Sequence, residues 1–250
     1  MLHLGVISIM PAMFDALKYG VIGRAIEARL ARVDCWNPRQ WARVPHNAVD
    51  DKPYGGGPGM VMMHQPLDAA ICFAKTQMPY TIKTVYLSPQ GRQINQQALN
   101  GLVRANQSVL FIAGRYEGID ERVIIQHVDD EWSLGDFVMS GGELAAMVYM
   151  DAMIRLLPGS LGDPTSAEHD SFMHGRFDHP HYTRPERTHN GMEVPAVLLS
   201  GNHRDISRWR MKQALGKTWL KRPDLLNELK LSADDEQLLV EFKHEHGNRN

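Results

Sequence analysis

The sequence predicts an α/β fold built on a mostly parallel sheet, with a small helical domain at its C-terminal end. Three observations predict it. Short β-rich apolar runs alternate with segments of helical apolar spacing up to about residue 157, the pattern of a sheet covered on both faces. Glycine-bearing turns follow three expected strands, SPQG at 88–91, GRYEG at 114–118 and SGGE at 140–143. In such sheets ligands bind beyond the carboxyl ends of the strands. From 158 to 185 sustained periodicity stops, and helical spacing then returns.

In order, residues 4–9 read as a buried strand and 12–30 as a helix. A second strand is expected at 33–36, and 47–60, with KPYGGGPGM, is a loop by composition. A helix is expected at 66–78, with Pro66 near its start. Residues 82–87 are β-rich, and Ser88–Gly91 is expected to turn the chain. A helix at 95–105, a strand at 108–113 and a helix at 119–127 follow. Short strands at 131–134 and 137–139 lead into a helix at 142–157. Beyond the irregular stretch, 206–215, 223–231 and 234–244 read as helices.

A chain of 250 residues suffices for one large domain or two smaller ones. The net charge of −2 gives no global sign of nucleic-acid binding. Locally, 201–222 carries seven Lys/Arg against the single acid Asp205. That excess either meets phosphates or is a solvated helix face. Cys35 and Cys72 are far apart and fit no metal spacing, so a reducing cytoplasm is expected. The opening MLHLGVISIMPAMF has no basic leader and meets Pro11 early, so it reads as a strand rather than a signal peptide. No apolar run is long enough to span a bilayer, so no membrane partner is expected.

The glycine turns constrain the chemistry. SGGE lacks the Lys-Ser or Lys-Thr of a Walker phosphate loop, and no turn supplies G-x-G-x-x-G. Recognition of an adenosine by backbone groups stays open. Glu117 in GRYEGIDERV could accept hydrogen bonds from ribose hydroxyls or an amine; alternatively the segment is a capped helix start with local charge pairs. Lys52 and Tyr54 beside flexible glycines suit a mobile substrate loop or a plain surface loop. Asp151 and Arg155, four apart, can pair on one helix face, or Arg155 can offer its fork of donors to a nucleobase carbonyl or phosphate. Asp170, before Ser171, could cap a helix or act as a general base when the long loop closes. His169, His174, His179 and His181 lack the HExxH pattern and any nearby Cys, so no metal ligand is assigned.

KPYGGGPGMVM (52–62), YLSPQG (86–91), GRYEGIDERV (114–123), SLGDFVMSGGE (133–143), PHYTRPE (180–186), VLLSGNH (197–203) and WRMKQALGKTWLKRP (209–223) occur in this order. With them the chain resembles, nearly end to end, the bacterial tRNA (guanine-N1)-methyltransferase family, TrmD, of the SPOUT superfamily. The resemblance implies a deep trefoil knot that holds S-adenosylmethionine in domain 1–160. It implies a flexible linker at 161–180 that carries the catalytic Asp, and a helical tRNA-binding domain at 181–250. By similarity, Tyr86, Leu87, Pro89, Gly114, Arg115, Tyr116, Glu117, Ser133, Leu134, Gly135, Phe137, Val138, Met139, Gly141 and Gly142 line the cofactor site. The implied reaction is methyl transfer to N1 of the tRNA guanosine just 3′ of the anticodon, position 37. Asp170 matches the family's general base and Arg155 its O6 stabiliser. A homodimer with its site at the subunit interface and magnesium dependence are implied as well. Two departures stand out: Phe137 where the family usually has Tyr, and HGRFD (174–178) where it usually reads GLLD. Other readings remain at this stage: the same fold acting on another RNA, or a non-enzymatic RNA-binding module that uses only the basic segment.

Overall fold

The computed structural model describes residues 1–79, 81–162, 167 and 170–247. They fall into two compact units, Met1–Pro164 and Thr165–Asn250.

The first unit is organised by strands whose side chains alternate between two apolar layers. Strands β1 (Leu2–Ile7), β2 (Ala31–Trp36), β5 (Ile82–Gln93), β6 (Ser108–Ala113) and β7 (Asp130–Ser133) form one sheet in the order β2-β1-β6-β5-β7. Every pairing in it is parallel. Val109, Phe111 and Ala113 of β6 point into one core with Leu4, Val6, Val85 and Leu87. Leu110 and Ile112 point into the other with Ile7 and Tyr86. Burial on both faces explains why 108–113 is a continuous apolar run rather than an alternating one. Each fully buried Leu or Ile here contributes about 1.5–3 kcal/mol.

Helices α1 (Gly20–Glu27), α3 (Gln96–Arg104) and α5 (Glu143–Ile154) supply the first core; α2 (His64–Gln77) and α4 (Glu121–His127) supply the second. Asn95 caps α3 by accepting from the Ala98 N–H, and Asp120 caps α4 by accepting from the Arg122 N–H. The capped-start reading of GRYEGIDERV therefore holds for Asp120. A small antiparallel pair, β3 (Asp50–Asp51) with β4 (Val61–Met62), closes the glycine-rich loop.

Three expectations are corrected. Residues 12–30 are not one helix: a 3-10 segment, Pro11–Lys18, is followed by α1, and the chain swings at Gly20, where φ is +66°. Ser88–Gly91 does not turn the chain. β5 runs on to Gln93, and Leu87 and Arg92 both pair with Trp132, so 88–91 is an excursion from a continuing strand. Pro89 has no N–H for a ladder, and a Cβ on Gly91 would lie 2.5 Å from the Glu131 and Trp132 backbone. Residues 137–139 form no strand.

Asp130 fastens β5 where it rejoins the ladder. Its carboxylate accepts from Arg92 Nη2 (2.8 Å), Lys83 Nζ (2.8 Å) and Trp132 Nε1 (3.0 Å). Partial burial opposes ionisation, but the Arg92, Lys83 and Trp132 donors outweigh it and hold the carboxyl well below its ordinary range. A depressed carboxylate contributes stability above its unfolded pKa and loses it as pH falls through the folded one. Asp130→Asn should therefore cost about 1–3 kcal/mol at neutral pH. In urea melts the gap from the parent should narrow below about pH 4; a gap that is constant with pH would contradict the ionic role.

The second unit packs α7 (His203–Lys221) against α9 (Ala233–Gly247), with α6 (Ala196–Leu199) and α8 (Pro223–Asn227) at its sides. Its core is Leu215, Leu238 and Leu239 with Met211, Trp219, Leu226 and Leu231 around them. Gly216 is needed inside α7 because a Cβ there would collide with the Phe242 ring. The helix expected at 223–231 is shorter, ending at Asn227.

Candidate active site

The strand ends of the first unit carry the site. β6 ends at Ala113, and the next turn runs Gly114, Arg115, Tyr116, Glu117, Gly118. Tyr116 takes φ +61° and Gly118 φ +135°, a reversal that the glycine permits. The turn is stitched to the glycine-rich loop: the Glu117 N–H donates to the Met60 carbonyl (2.9 Å), and the Met62 N–H to the Gly118 carbonyl (2.9 Å). Gly59, at φ +78°, lies under the Glu117 side chain, and a Cβ there would collide with that carboxylate. The loop at 52–60 thus helps to set where Glu117 points.

The glycines of SGGE let one stretch of main chain lie against another. The Gly142 N–H donates to the Gly114 carbonyl at 2.9 Å, and Gly141 makes an antiparallel bridge with Arg115. A Cβ on Gly142 would stand 2.8 Å from Ala113 Cα, where only backbone could yield. Beneath the crossing, Arg115 Nε donates to Glu143 Oε2 at 3.0 Å, and Glu143 Oε1 accepts from Ser8 Oγ at 2.9 Å. Glu143 is fully buried. Further along α5, Tyr149 packs with Phe111 and Trp132, and its hydroxyl donates to the Ser133 carbonyl at 2.7 Å. Burial pushes the Tyr149 phenol up to about 12, so it stays a donor.

These segments enclose one cavity, edged by residues 86–89, 114–118, 132–135, 137–142 and 145. All fifteen residues expected to line a cofactor site edge it. Ser88, Gly118, Trp132, Ser140 and Ala145 edge it as well. The first, second and fourth fall inside motifs already singled out, whereas Trp132, 1% exposed, carries only the signal of a core residue. Tyr86 lies under Gly114, where a Cβ would meet its ring at 2.8 Å. Burial, with the Glu131 carboxylate nearby, raises the Tyr86 phenol above its usual range. Phe137 and Val138 stay exposed at the rim.

A family model described as tRNA (Guanine-1)-methyltransferase TrmD matches residues 2–228. The chain belongs to the TrmD family. Among curated proteins it is similar to a tRNA (guanine-N(1)-)-methyltransferase of Legionella pneumophila, 64% identical over 98% of both chains. Proteins of the same name from Photorhabdus laumondii (56%, 97% of both) and Baumannia cicadellinicola (54%, 98% of this chain and 97% of that one) match as well.

Two residues that TrmD-family resemblance marks as catalytic are not part of the cavity's lining. Arg155 follows the last residue of α5; its N–H donates to the Asp151 carbonyl, and its carbonyl accepts from Ser160 Oγ. The cavity meets the other end of that helix, about 18 Å away at 1.5 Å per residue. Asp170 belongs to the second unit. There it borders a separate hollow with Ser171, Phe177, Asp178, His179, Lys217 and Lys221.

The Asp170 loop is tied down locally. The Met173 N–H donates to the Asp170 carbonyl, the Asp178 N–H to Ser171 Oγ, and the Phe177 N–H to Thr218 Oγ1 (2.9 Å). Gly175 takes φ +70° against Leu229. Asp178 accepts from His181 Nε2 at 2.8 Å. Burial opposes its ionisation, but the His181 and His179 contacts prevail and lower the Asp178 carboxyl. His169 lies outside the described residues. The basic segment is less free than its composition implies: Arg208 pairs with Glu241, Lys212 with Glu245 and Arg222 with Asp224.

Among the described residues, the groupings able to hold a metal are Asp68, Cys72, His127 and Asp178, His179, His181. Magnesium takes oxygen ligands in a near-octahedral shell. Sets built on imidazole and thiol do not fit it. No described helix is long and apolar enough to cross a membrane.

Proposed function

We propose that this chain methylates N1 of a tRNA guanosine, the one just 3′ of the anticodon, with S-adenosylmethionine bound in the first unit's cavity. The relatives' shared name supports the substrate and the atom. The observation that carries the donor site is charge balance at a backbone-lined cavity. A sulfonium would be repelled by a bare Arg115, but Glu143, buried and 3.0 Å away, neutralises that guanidinium. Glu117 is held by the glycine-rich loop where a carboxylate can accept from a ribose diol. Main-chain groups around 133–142 can read an adenine edge. The close passage of 141–142 against 113–115 is what a knotted chain requires of its glycines.

The bound donor supplies an electrophilic methyl group. The chain's own residues must then orient the guanine, take the N1 proton and stabilise charge that develops on O6. Asp170 is assigned the proton and Arg155 the O6 charge. Within one chain Arg155 stands at the end of α5 remote from the cavity, which supports the reading that two copies complete each site as a homodimer. Arg204, Arg210, Lys217 and Lys221 are the cations assigned to tRNA phosphates.

The test is methyl transfer to tRNA transcripts that differ only at that guanosine, followed by nucleoside analysis. N1-methylguanosine should form on the parent and vanish when adenosine replaces the guanosine. Undiminished methylation of the variant transcript would point to another RNA target. A calorimetric titration showing no S-adenosylmethionine binding would remove the enzymatic reading.

A further inference from the structure

Away from the cavity, α2 and α4 bring together side chains that the proposed reaction leaves unused. His64, Asp68 and Cys72 follow one another at four-residue spacing, so they form a stripe along α2. His127, the last residue of α4, faces the stripe, with its Nε2 2.7 Å from Asp68 Oδ1. Cys72 Sγ lies 4.0 Å from the same oxygen. The three donor atoms all fall within 4.8 Å of one another. Gln126 Nε2 also donates to Asp68 Oδ1, and His64 Nε2 meets Gln126 Oε1, both at 3.3 Å.

We propose that Asp68, Cys72 and His127 form a binding site for a borderline-soft divalent cation of the zinc class, which clamps the end of α4 to α2. The donor set decides the class: thiolate and imidazole select zinc or cobalt over magnesium or calcium. The spacing agrees. Bonds of ~2.1 Å to N and O and ~2.3 Å to S at tetrahedral angles place O and S ~3.6 Å apart and N and O ~3.4 Å apart. The observed 4.0 and 2.7 Å differ from these by side-chain adjustments of less than ~1 Å. His127 is 9% exposed and already fixed, whereas Cys72 is exposed and open to an entering ion. On binding, the Cys72 thiol proton leaves to solvent as the metal–sulfur bond forms, and water takes the fourth position. The site would act on the cavity through α4, whose cap Asp120 follows the Glu117–Gly118 wall after the single residue Ile119.

Cobalt(II) titration of the full-length protein tests this. One equivalent should produce a near-ultraviolet thiolate-to-cobalt charge-transfer band that is present in Cys35→Ser and absent in Cys72→Ser. Zinc affinity, measured by competition with a chromophoric chelator, should fall at least about tenfold in Cys72→Ser and Asp68→Asn. Cys72 is exposed, so its serine variant should fold, which unchanged circular dichroism would verify. No thiolate band, a band that survives Cys72→Ser, or equal zinc affinity in that variant would each overturn the proposal. The last outcome would move any binding to Asp178, His179 and His181.

Discussion

Asp170→Ala is expected to lower the single-turnover methyl-transfer rate by about 10²–10⁴-fold, the usual worth of a positioned general base. Affinity for S-adenosylmethionine should stay within about twofold, because additivity holds between sites with no shared partners. Asp170 belongs to the second unit, and every residue edging the proposed donor cavity belongs to the first. Calorimetry for donor binding and rapid quench for transfer separate the two quantities. Thr218 supplies a second handle on the same loop. It is fully buried; its hydroxyl donates to the Ala214 carbonyl at 2.8 Å and accepts from the Phe177 N–H at 2.9 Å. Full transfer by Asp170→Ala would take Asp170 out of the mechanism, whatever the state of its loop.

The second large effect concerns stability. Glu143→Ala should destabilise the first unit by about 2–4 kcal/mol, because it leaves the largely buried Arg115 charge uncompensated. The Ser8 hydroxyl loses its acceptor in the same step. Urea denaturation should show the loss as a lower midpoint with little change in slope. Donor affinity should fall too, since Arg115 bridges Gly141 at the crossing. Arg115 and Glu143 act as one unit, so the double alanine variant should lose less than the sum of the two single losses. Additive losses would mean that the pair is not coupled and that the charge-balance argument for a sulfonium fails.

What the sequence made legible follows from how local each signal is. The run 108–113 reads as a buried strand because it is apolar throughout, and it is one. The three glycine-bearing segments suggest one ligand site because each follows an expected strand. Although 88–91 proves to lie within β5 and no strand immediately precedes 140, Ser88, Pro89, 114–118 and 140–142 do edge one cavity. The excursion at 88–91 has the composition of a turn. Only the pairing of Leu87 and Arg92 to the same Trp132 reveals a strand that leaves its ladder and returns. The sequence around Glu143 gives no sign of its role, because its partners lie at Ser8 and Arg115, far off in sequence. Likewise the sequence overstates the free charge of 201–222: Glu241 and Glu245, 33 residues beyond their partners, sit on a helix that only the fold brings alongside. Patterns within one element were readable, whereas pairings between distant elements were not.

The sheet order also bears on how the chain is made. β1 is an interior strand, and one of its two neighbours is β6, with Leu4 beside Val109. During synthesis the first strand therefore emerges with an unsatisfied edge, and it keeps that edge until over a hundred further residues have left the ribosome. Long-range parallel pairing of this kind slows folding and leaves apolar edges open to wrong partners. Nascent-chain truncations ending before Ser108 should thus be the aggregation-prone species, and ribosome-proximal chaperones their natural custodians.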